Sequence, residues 1–319
     1  MNDQPNPVRM ILTSHSIDNV FDYCARKFEF LNVYDKRPPR ESGYAASVGT
    51  ALHEGVQQWL IARAQGLTEW NAQAKGYMSM LKTFPWEEEE QQKTSTRSAS
   101  NCIMMLGEIM ASPEWVNWEL MEVKDHGWAV EIPFLIRHAS VGLFTLKNTG
   151  ETCMLATQGK IDLVMRNKIN GSIKTIDIKT TINSEDTARA EYTYSGQQIG
   201  YSHVIHAMLG VAPQDFSVFY VICRFSTSEP QQIQWLEMFK GEDMIDDYWM
   251  AKLDRLSRMR AYAEAGWFPR TNGGCHAWGR ECSCFDICRS RDVSLIQRWF
   301  EAIEAVPAQG YDYWVTMEI

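Results

Sequence analysis

The 319-residue sequence contains no apolar run approaching the roughly 20 residues that cross a bilayer, so no membrane-spanning helix is expected. Its first residues, MNDQPNPVRM, lack the basic start and apolar stretch of a secretory signal. A cytoplasmic location is expected, and its eight cysteines should then be reduced thiols or metal ligands rather than disulfides. There is no internal repeat and no low-complexity linker. No Gly-x-x-x-x-Gly-Lys followed by Ser or Thr occurs, which excludes an ATPase phosphate loop. Positive charge is also scarce, with 31 Lys and Arg against 40 Asp and Glu and a net charge of −9. Contacts to a polyanion would have to come from local clusters. Two are visible, Lys36, Arg37 and Arg40, and the helically spaced Lys252, Arg255, Arg258 and Arg260; both also read as solvated surface.

What is present suits a folded protein with a sizeable core, at 45% hydrophobic and 22% charged residues. The first ~115 residues show apolar recurrence at three- and four-residue spacing, as in Val48, Leu52, Val56 and Trp59/Leu60, and read as helices. The acidic run Glu87 to Glu90 follows Pro85, a plausible helix start. From residue 119 the period changes. Segments near 128–137, 153–166, 173–180, 215–225 and 231–238 are rich in β-branched and aromatic residues and read as strands. Helices are predicted near 194–210 and 242–265, followed by a Gly- and Cys-rich loop at 272–289 and a closing helix. This order suggests an α/β fold with a mixed sheet flanked by helices and a helical N-terminal region.

The informative stretch is Gly159-Lys160-Ile161-Asp162, then Asn170-Gly171, then Asp177-Ile178-Lys179. Asn-Gly between two strand-like runs signals a tight hairpin. With Asn170 and Gly171 as a two-residue loop, Asp162 faces Lys179 and lies diagonal to Asp177. All three then share one face, while Ile161, Leu163, Ile176 and Ile178 point to a core. Two carboxylates and a lysine on one face suit phosphodiester cleavage. The carboxylates bind a hard cation, and the lysine orients a water and offsets transition-state charge. The same residues would also make a cross-strand salt bridge on an exposed face. His53 sits beside the apolar stripe, one turn after Gly49, whose missing side chain leaves room for a strand. Gln197 and Tyr201, four apart, share a helical face.

Together, Gly49-x-x-x-His53, Gly159-x-x-Asp162, Asp177-Ile178-Lys179 and Gln197-x-x-x-Tyr201 resemble, in order and spacing, the RecB-like PD-(D/E)XK nucleases. The resemblance implies a restriction-endonuclease-like sheet and a Mg²⁺- or Mn²⁺-dependent deoxyribonuclease, with exonuclease the expected mode. It implies His53, Asp162, Asp177 and the backbone carbonyl of Ile178 as metal ligands, and Lys179 as the catalytic lysine. Gln197 and Tyr201 would orient the site or contact the substrate. Glu131, in Val130-Glu131-Ile132-Pro133, stands where many relatives carry a glutamate. The chain then divides into a helical region 1–118 carrying Cys24 and His53, a nuclease core 119–270, and a terminal segment 271–319, all expected to form one compact unit.

Cys275, Cys282, Cys284 and Cys288 crowd into fourteen residues and read as metal ligands, although their spacing does not match zinc knuckles. The sequence Asp22-Tyr23-Cys24-Ala25-Arg26 resembles the N-terminal element of the family's iron–sulfur branch, to which CRISPR adaptation nucleases and the AddB subunit belong; Ala25 replaces the usual Pro. That resemblance implies a [4Fe–4S] cluster on Cys24, Cys275, Cys282 and Cys288, with Cys284 a competitor and four-thiolate zinc an alternative. Cys102, Cys153 and Cys223 read as small buried hydrophobes. DNA, single- or double-stranded, is the expected partner, with a helicase or a recombination or adaptation complex supplying any motor and no membrane involved. A bacterial or phage origin is expected. Two rival readings are a non-cleaving binding subunit of such a complex and an iron–sulfur carrier, the second of which leaves the carboxylate–lysine cluster unexplained.

Overall fold

The computed structural model of the protein describes residues 8–34, 43–91, 95–124, 126–193, 195–212, 215–226, 232–271, 275, 282–289 and 315–318. In chain order the N-terminal part holds β1 (Arg9–Thr13), α1 (His15–Tyr23), α2 (Ala25–Phe28), α3 (Tyr44–Ala64), α4 (Glu69–Thr83), α5 (Trp86–Gln91) and α6 (Ala99–Ala111). Then come β2 (Trp118–Leu120), β3 (Glu122–Val123), β4 (Gly127–Trp128), β5 (Val130–Arg137), β6 (Phe144–Thr145), β7 (Thr152–Asn167) and β8 (Ile173–Thr181). The remainder is α7 (Glu185–Thr193), α8 (Gly196–Leu209), β9 (Phe216–Arg224), β10 (Gln232–Phe239), α9 (Glu242–Ala265), α10 (Phe285–Arg289) and β11 (Val315–Glu318). The five long strands and the helices α8 and α9 fall where periodicity predicts them. The short strands β1 to β4 and β6, and helix α7, carry too few residues to show a period. The predicted closing helix lies outside the described residues; Val315–Glu318 is a strand.

The fold is α/β, with a mixed sheet flanked by helices, and the chain separates into two interleaved units. One unit comprises residues 41–132 and 161–245. Its strands run in the order β10, β9, β8 and the second half of β7, with antiparallel, parallel and antiparallel pairing. The parallel step from β8 to β9 is made through α7 and α8. Helices α3, α4 and α6 pack on one face of these strands, where Val48, Leu52, Val56 and Trp59 are almost fully buried beside Leu163, Ile176 and Ile178. At Gly49 a Cβ would lie 3.3 Å from Thr180 Oγ1, so the absent side chain lets α3 approach β8 closely. Cys102 and Cys223 are buried in this core, as their apolar neighbours predict.

The other unit comprises residues 1–40, 133–160 and 246–319. Here β1 pairs in parallel with the first half of β7, and β11 in parallel with β5. Gly159 is required by Phe134, whose Cζ would stand 2.5 Å from a Cβ there. Cys153 is fully buried here. Of the two basic clusters, Lys36, Arg37 and Arg40 lie outside the described residues. In the α9 set every cation has a carboxylate neighbour, buried for Lys252 and on the surface for Arg258 and Arg260. Lys252 is completely buried with its Nζ 2.5 Å from Asp18 Oδ2, and Arg255 grips Asp22 at 2.5 Å. Arg258 pairs with Asp254 and Arg260 with Glu264, each at 3.0 Å. Ion pairing within the unit takes up Lys252 and Arg255, whereas Arg258 and Arg260 remain on the solvated helix surface in i,i+4 pairs.

Candidate functional site

The hairpin that carries the site has a different turn from the one expected. Leu163 pairs with Ile176 and Arg166 with Ile173, two residues off the two-residue-loop register. Asn167 is the reason. Its backbone N–H donates to the Ser172 carbonyl at 2.8 Å and its carbonyl accepts from Gly171 at 2.9 Å. Its side-chain oxygen accepts from the N–H groups of Ile169 and Asn170. The loop is therefore four residues, 168–171, with Gly171 taking φ +75°. Because the shift is even, every side chain keeps its face. Extended one step beyond the Leu163–Ile176 pair, this register sets Asp162 against Asp177, not diagonal to it and not against Lys179.

Helix α3 brings His53 to this pair. Its Nε2 is hydrogen-bonded to the Ile178 carbonyl, and its Nδ1 is 3.7 Å from Asp162 Oδ2. His53, Asp162 and Asp177 each offer a ligand atom within 4.8 Å of the others. Burial lowers the His53 pKa, which favours the neutral imidazole that can ligate. Burial, and then the neighbouring Asp177 charge, raise Asp162 well above the usual carboxylate range. Two such carboxylates are costly to ionise together without a cation.

Asp177 is fully buried, and its two oxygens are used differently. Oδ2 accepts from Gln198 Nε2 at 2.7 Å and lies 2.9 Å from Lys179 Nζ. Oδ1 is buried and has no hydrogen-bond partner among the described residues. A buried carboxylate oxygen without a donor is costly unless a cation faces it. One imidazole nitrogen, two carboxylates and a nearby main-chain carbonyl form a largely oxygen donor set that fits a hard divalent ion.

Lys179 shares the carboxylate side of the hairpin. Burial acts to lower its pKa, but Asp177 and then Asp162 outweigh this and hold the ammonium above its usual value. Its Nζ donates to Gln197 Oε1 at 3.3 Å, and Gln197 Nε2 donates to the Tyr201 hydroxyl at 2.8 Å. Burial, then the charge of Asp162, raise the Tyr201 pKa well above normal, so the phenol stays protonated. Glu131 lies outside the close trio. Its carboxylate accepts from Gln57 Nε2 at 2.8 Å, and its φ of +51° is rare for a residue with a side chain.

Two polar residues at this site were not singled out in the sequence. Gln198 is almost fully buried, held by Thr175 Oγ1 at 3.2 Å while it donates to Asp177. A signal existed, since Gln198 shares a helical face with Tyr201, Ser202 and Ile205, where a purely structural helix would place apolar residues. Gln57, one turn after His53, is buried in the same way and carries Glu131.

The candidate cluster cysteines Cys24, Cys275, Cys282 and Cys288, with Cys284, belong to the other unit. Cys24 is buried between α1 and α2, and the Cys282 N–H donates to the Cys275 carbonyl at 2.9 Å. Burial raises the Cys288 thiol, and Cys24 and Cys275 lie near enough to raise it further. Cys284 is almost fully buried against Phe30, and its thiol is pushed up first by a hydrogen bond to Cys282 and then by burial.

The sequence model of the PD-(D/E)XK nuclease superfamily matches residues 13–289. Among curated proteins nothing matches. One similar solved structure is a Eubacterium rectale protein given a provisional exonuclease assignment, 12% identical over 90% of this chain and 92% of that one, with a TM-score of 0.48. Another is SSO0001, 14% identical over 65% and 73% of the two chains, with a TM-score of 0.25.

Proposed function

The chain belongs to the PD-(D/E)XK nuclease superfamily, and from that premise we propose that it is a Mg²⁺- or Mn²⁺-dependent deoxyribonuclease acting as an exonuclease. The observation that carries this reading is the buried Asp177, tied through Oδ2 to Gln198 and Lys179 and offering a ligand atom within 4.8 Å of those of Asp162 and His53. Asp162, Asp177, His53 and the Ile178 carbonyl would hold the ion. A divalent cation there supplies Lewis-acid polarisation of the scissile phosphoryl group and lowers the pKa of an attacking water. Lys179 stays charged at neutral pH and offsets the negative charge that develops on the phosphoryl oxygens. Gln197 and Tyr201 aim the Lys179 ammonium. Glu131, set by Gln57, adds negative charge at the border of the site. The test is hydrolysis of end-labelled DNA with Mg²⁺, Mn²⁺ or EDTA. Metal-dependent release of nucleotides from an end is expected. Protein that binds DNA but cuts none with any metal would establish the binding-subunit reading instead.

The finer reading is membership of the RecB-like iron–sulfur branch, with a [4Fe–4S] cluster on Cys24, Cys275, Cys282 and Cys288. The nearness of Cys24 and Cys275 to the Cys288 thiol supports it, as does the burial of Cys284 against Phe30, which makes Cys284 the packing residue of the group. Such a cluster would tie residue 24 to residue 275 and act as a staple. Anaerobically purified protein should be brown and absorb broadly near about 400 nm. Colourless protein with stoichiometric zinc would replace the cluster by a four-thiolate zinc site and leave the nuclease reading intact. DNA is the proposed partner, and a helicase or a recombination or adaptation complex is the proposed source of any motor.

A further inference from the structure

Helix α3 carries more than His53. By helical period, Gln57, Leu60 and Ala64 follow His53 along one stripe. Leu60 and Ala64 border a cavity of about 290 Å³ whose other walls include Trp118, Trp128, Arg63, Glu119 and Lys168. Its composition is unlike a core void, with two half-buried indoles and two cations. Glu119 is already engaged by Arg166, at 2.8 Å to Nη2 and 3.1 Å to Nε. The guanidinium of Arg63 lies 4.9 Å from the Trp59 ring centroid and pairs with Glu69 at 3.3 Å, which fixes its position. Lys168 is exposed in the four-residue hairpin loop. The Lys174 ammonium lies 3.8 Å from the Trp118 ring centroid, and Lys174 is not part of the cavity wall. Lys174 therefore braces one side of that ring, and Trp118 also borders the cavity.

The cavity has a fixed distance from the candidate site. Ten residues of α3 separate His53 from Arg63, about 15 Å along the axis at 1.5 Å per residue. Trp128 precedes Glu131 by three residues across the bend at Ala129, which sets at most about 10 Å between them. At about 3.4 Å per stacked nucleotide, these spans correspond to roughly three to five nucleotides. Indole rings stack on any base, and neighbouring cations take up phosphates, which is the usual chemistry of sequence-tolerant single-strand binding.

We propose that this cavity is a single-stranded DNA subsite, in which a base three to five nucleotides from the scissile phosphate stacks on Trp128 and Trp118 while Arg63 and Lys168 hold the adjoining phosphates. The inference rests on the nuclease reading above and names the part of the substrate that reading leaves unspecified. An exonuclease with such a subsite grips its strand at two points and favours substrates long enough to reach both.

The test uses the full-length protein and 5′-labelled oligothymidylates of two, three, four, six and eight nucleotides. For the wild type, KM in Mn²⁺ should fall about tenfold as length passes from three to six. Trp128→Leu and Lys168→Ala should each remove most of that gain, and Trp128→Phe should retain it, because a phenyl ring still stacks. Lys168→Ala lies in an exposed loop and keeps the test valid should Trp128→Leu unfold. A wild-type protein whose KM is independent of length, or variants that keep the full gain, would overturn the subsite and leave the nuclease reading standing. Should the wild type bind oligonucleotides in Ca²⁺ without cutting them in Mn²⁺, the nuclease reading falls, and the same length dependence read in Kd decides the subsite. Protein that neither cuts nor binds overturns both.

Discussion

Gln198 donates to Asp177 Oδ2 over 2.7 Å while Thr175 Oγ1 donates to the other end of the same amide. The amide is thereby fixed in orientation, and it holds Asp177 by Oδ2 alone, leaving Oδ1 without a hydrogen-bond donor. Lys179 shares the occupied oxygen, so the ammonium is placed beside the ion site without competing for the free oxygen.

Replacing Gln198 by Leu keeps its volume and removes that control. The concentration of Mn²⁺ giving half-maximal cleavage should rise about 10- to 100-fold, as supporting partners of metal ligands typically cost when removed. Saturating Mn²⁺ should restore much of the rate. Loss of activity that no metal concentration rescues would show that Gln198 does more than position Asp177.

Asp162→Asn should abolish cleavage and stabilise the metal-free protein. The pKa of Asp162 is raised in the folded state by burial and by Asp177, so the folded chain holds this proton more tightly than the unfolded one. That contribution is fully present below the ordinary aspartate value of about 3.9 and is lost as pH rises through the raised value. Metal-free wild type should therefore lose stability over that interval, and the Asn variant, lacking the titration, should not. At neutral pH a gain of about 1 kcal/mol, or roughly 2–4 °C in Tm, is expected. Equal melting temperatures across the pH series would sink the argument.

Lys179→Ala and Asp177→Ala should fail for different reasons. The lysine variant is expected to lose about 10²- to 10³-fold in rate while still binding metal and DNA in Ca²⁺, because its charge acts on the transition state. The aspartate variant removes the best-held ligand and should bind the cation weakly. Isothermal titration with Mn²⁺ separates the two. Asp177→Ala protein that cuts like wild type would dismiss the metal centre described here.

Gly159→Ala tests packing rather than chemistry. The new methyl group would meet the Phe134 ring at 2.5 Å, so the ring must move. A destabilisation of about 1–3 kcal/mol is expected, and Phe134→Leu in the same chain should recover part of it. Denaturant titration of the single and double variants measures the coupling.

Sequence by itself determined the parts of this protein that depend on local period and chemistry. The apolar stripe of α3, the five long strands, and the shared face of Asp162, Asp177 and Lys179 were all legible. Side-chain alternation has a period of two, so a register error of two residues left the face assignment intact. Tertiary structure alone decided which residues meet. It set Asp162 opposite Asp177, because Asn167 caps a four-residue turn that no dipeptide preference reveals. It turned Gln198 towards Asp177, because packing of α8 on the strands selects one face of a helix that carries glutamines at successive positions. It also drew Lys252 and Arg255 of α9 into pairs with Asp18 and Asp22. Charge is written in the sequence, but these partners lie more than 200 residues away, and their pairing is a property of the folded chain.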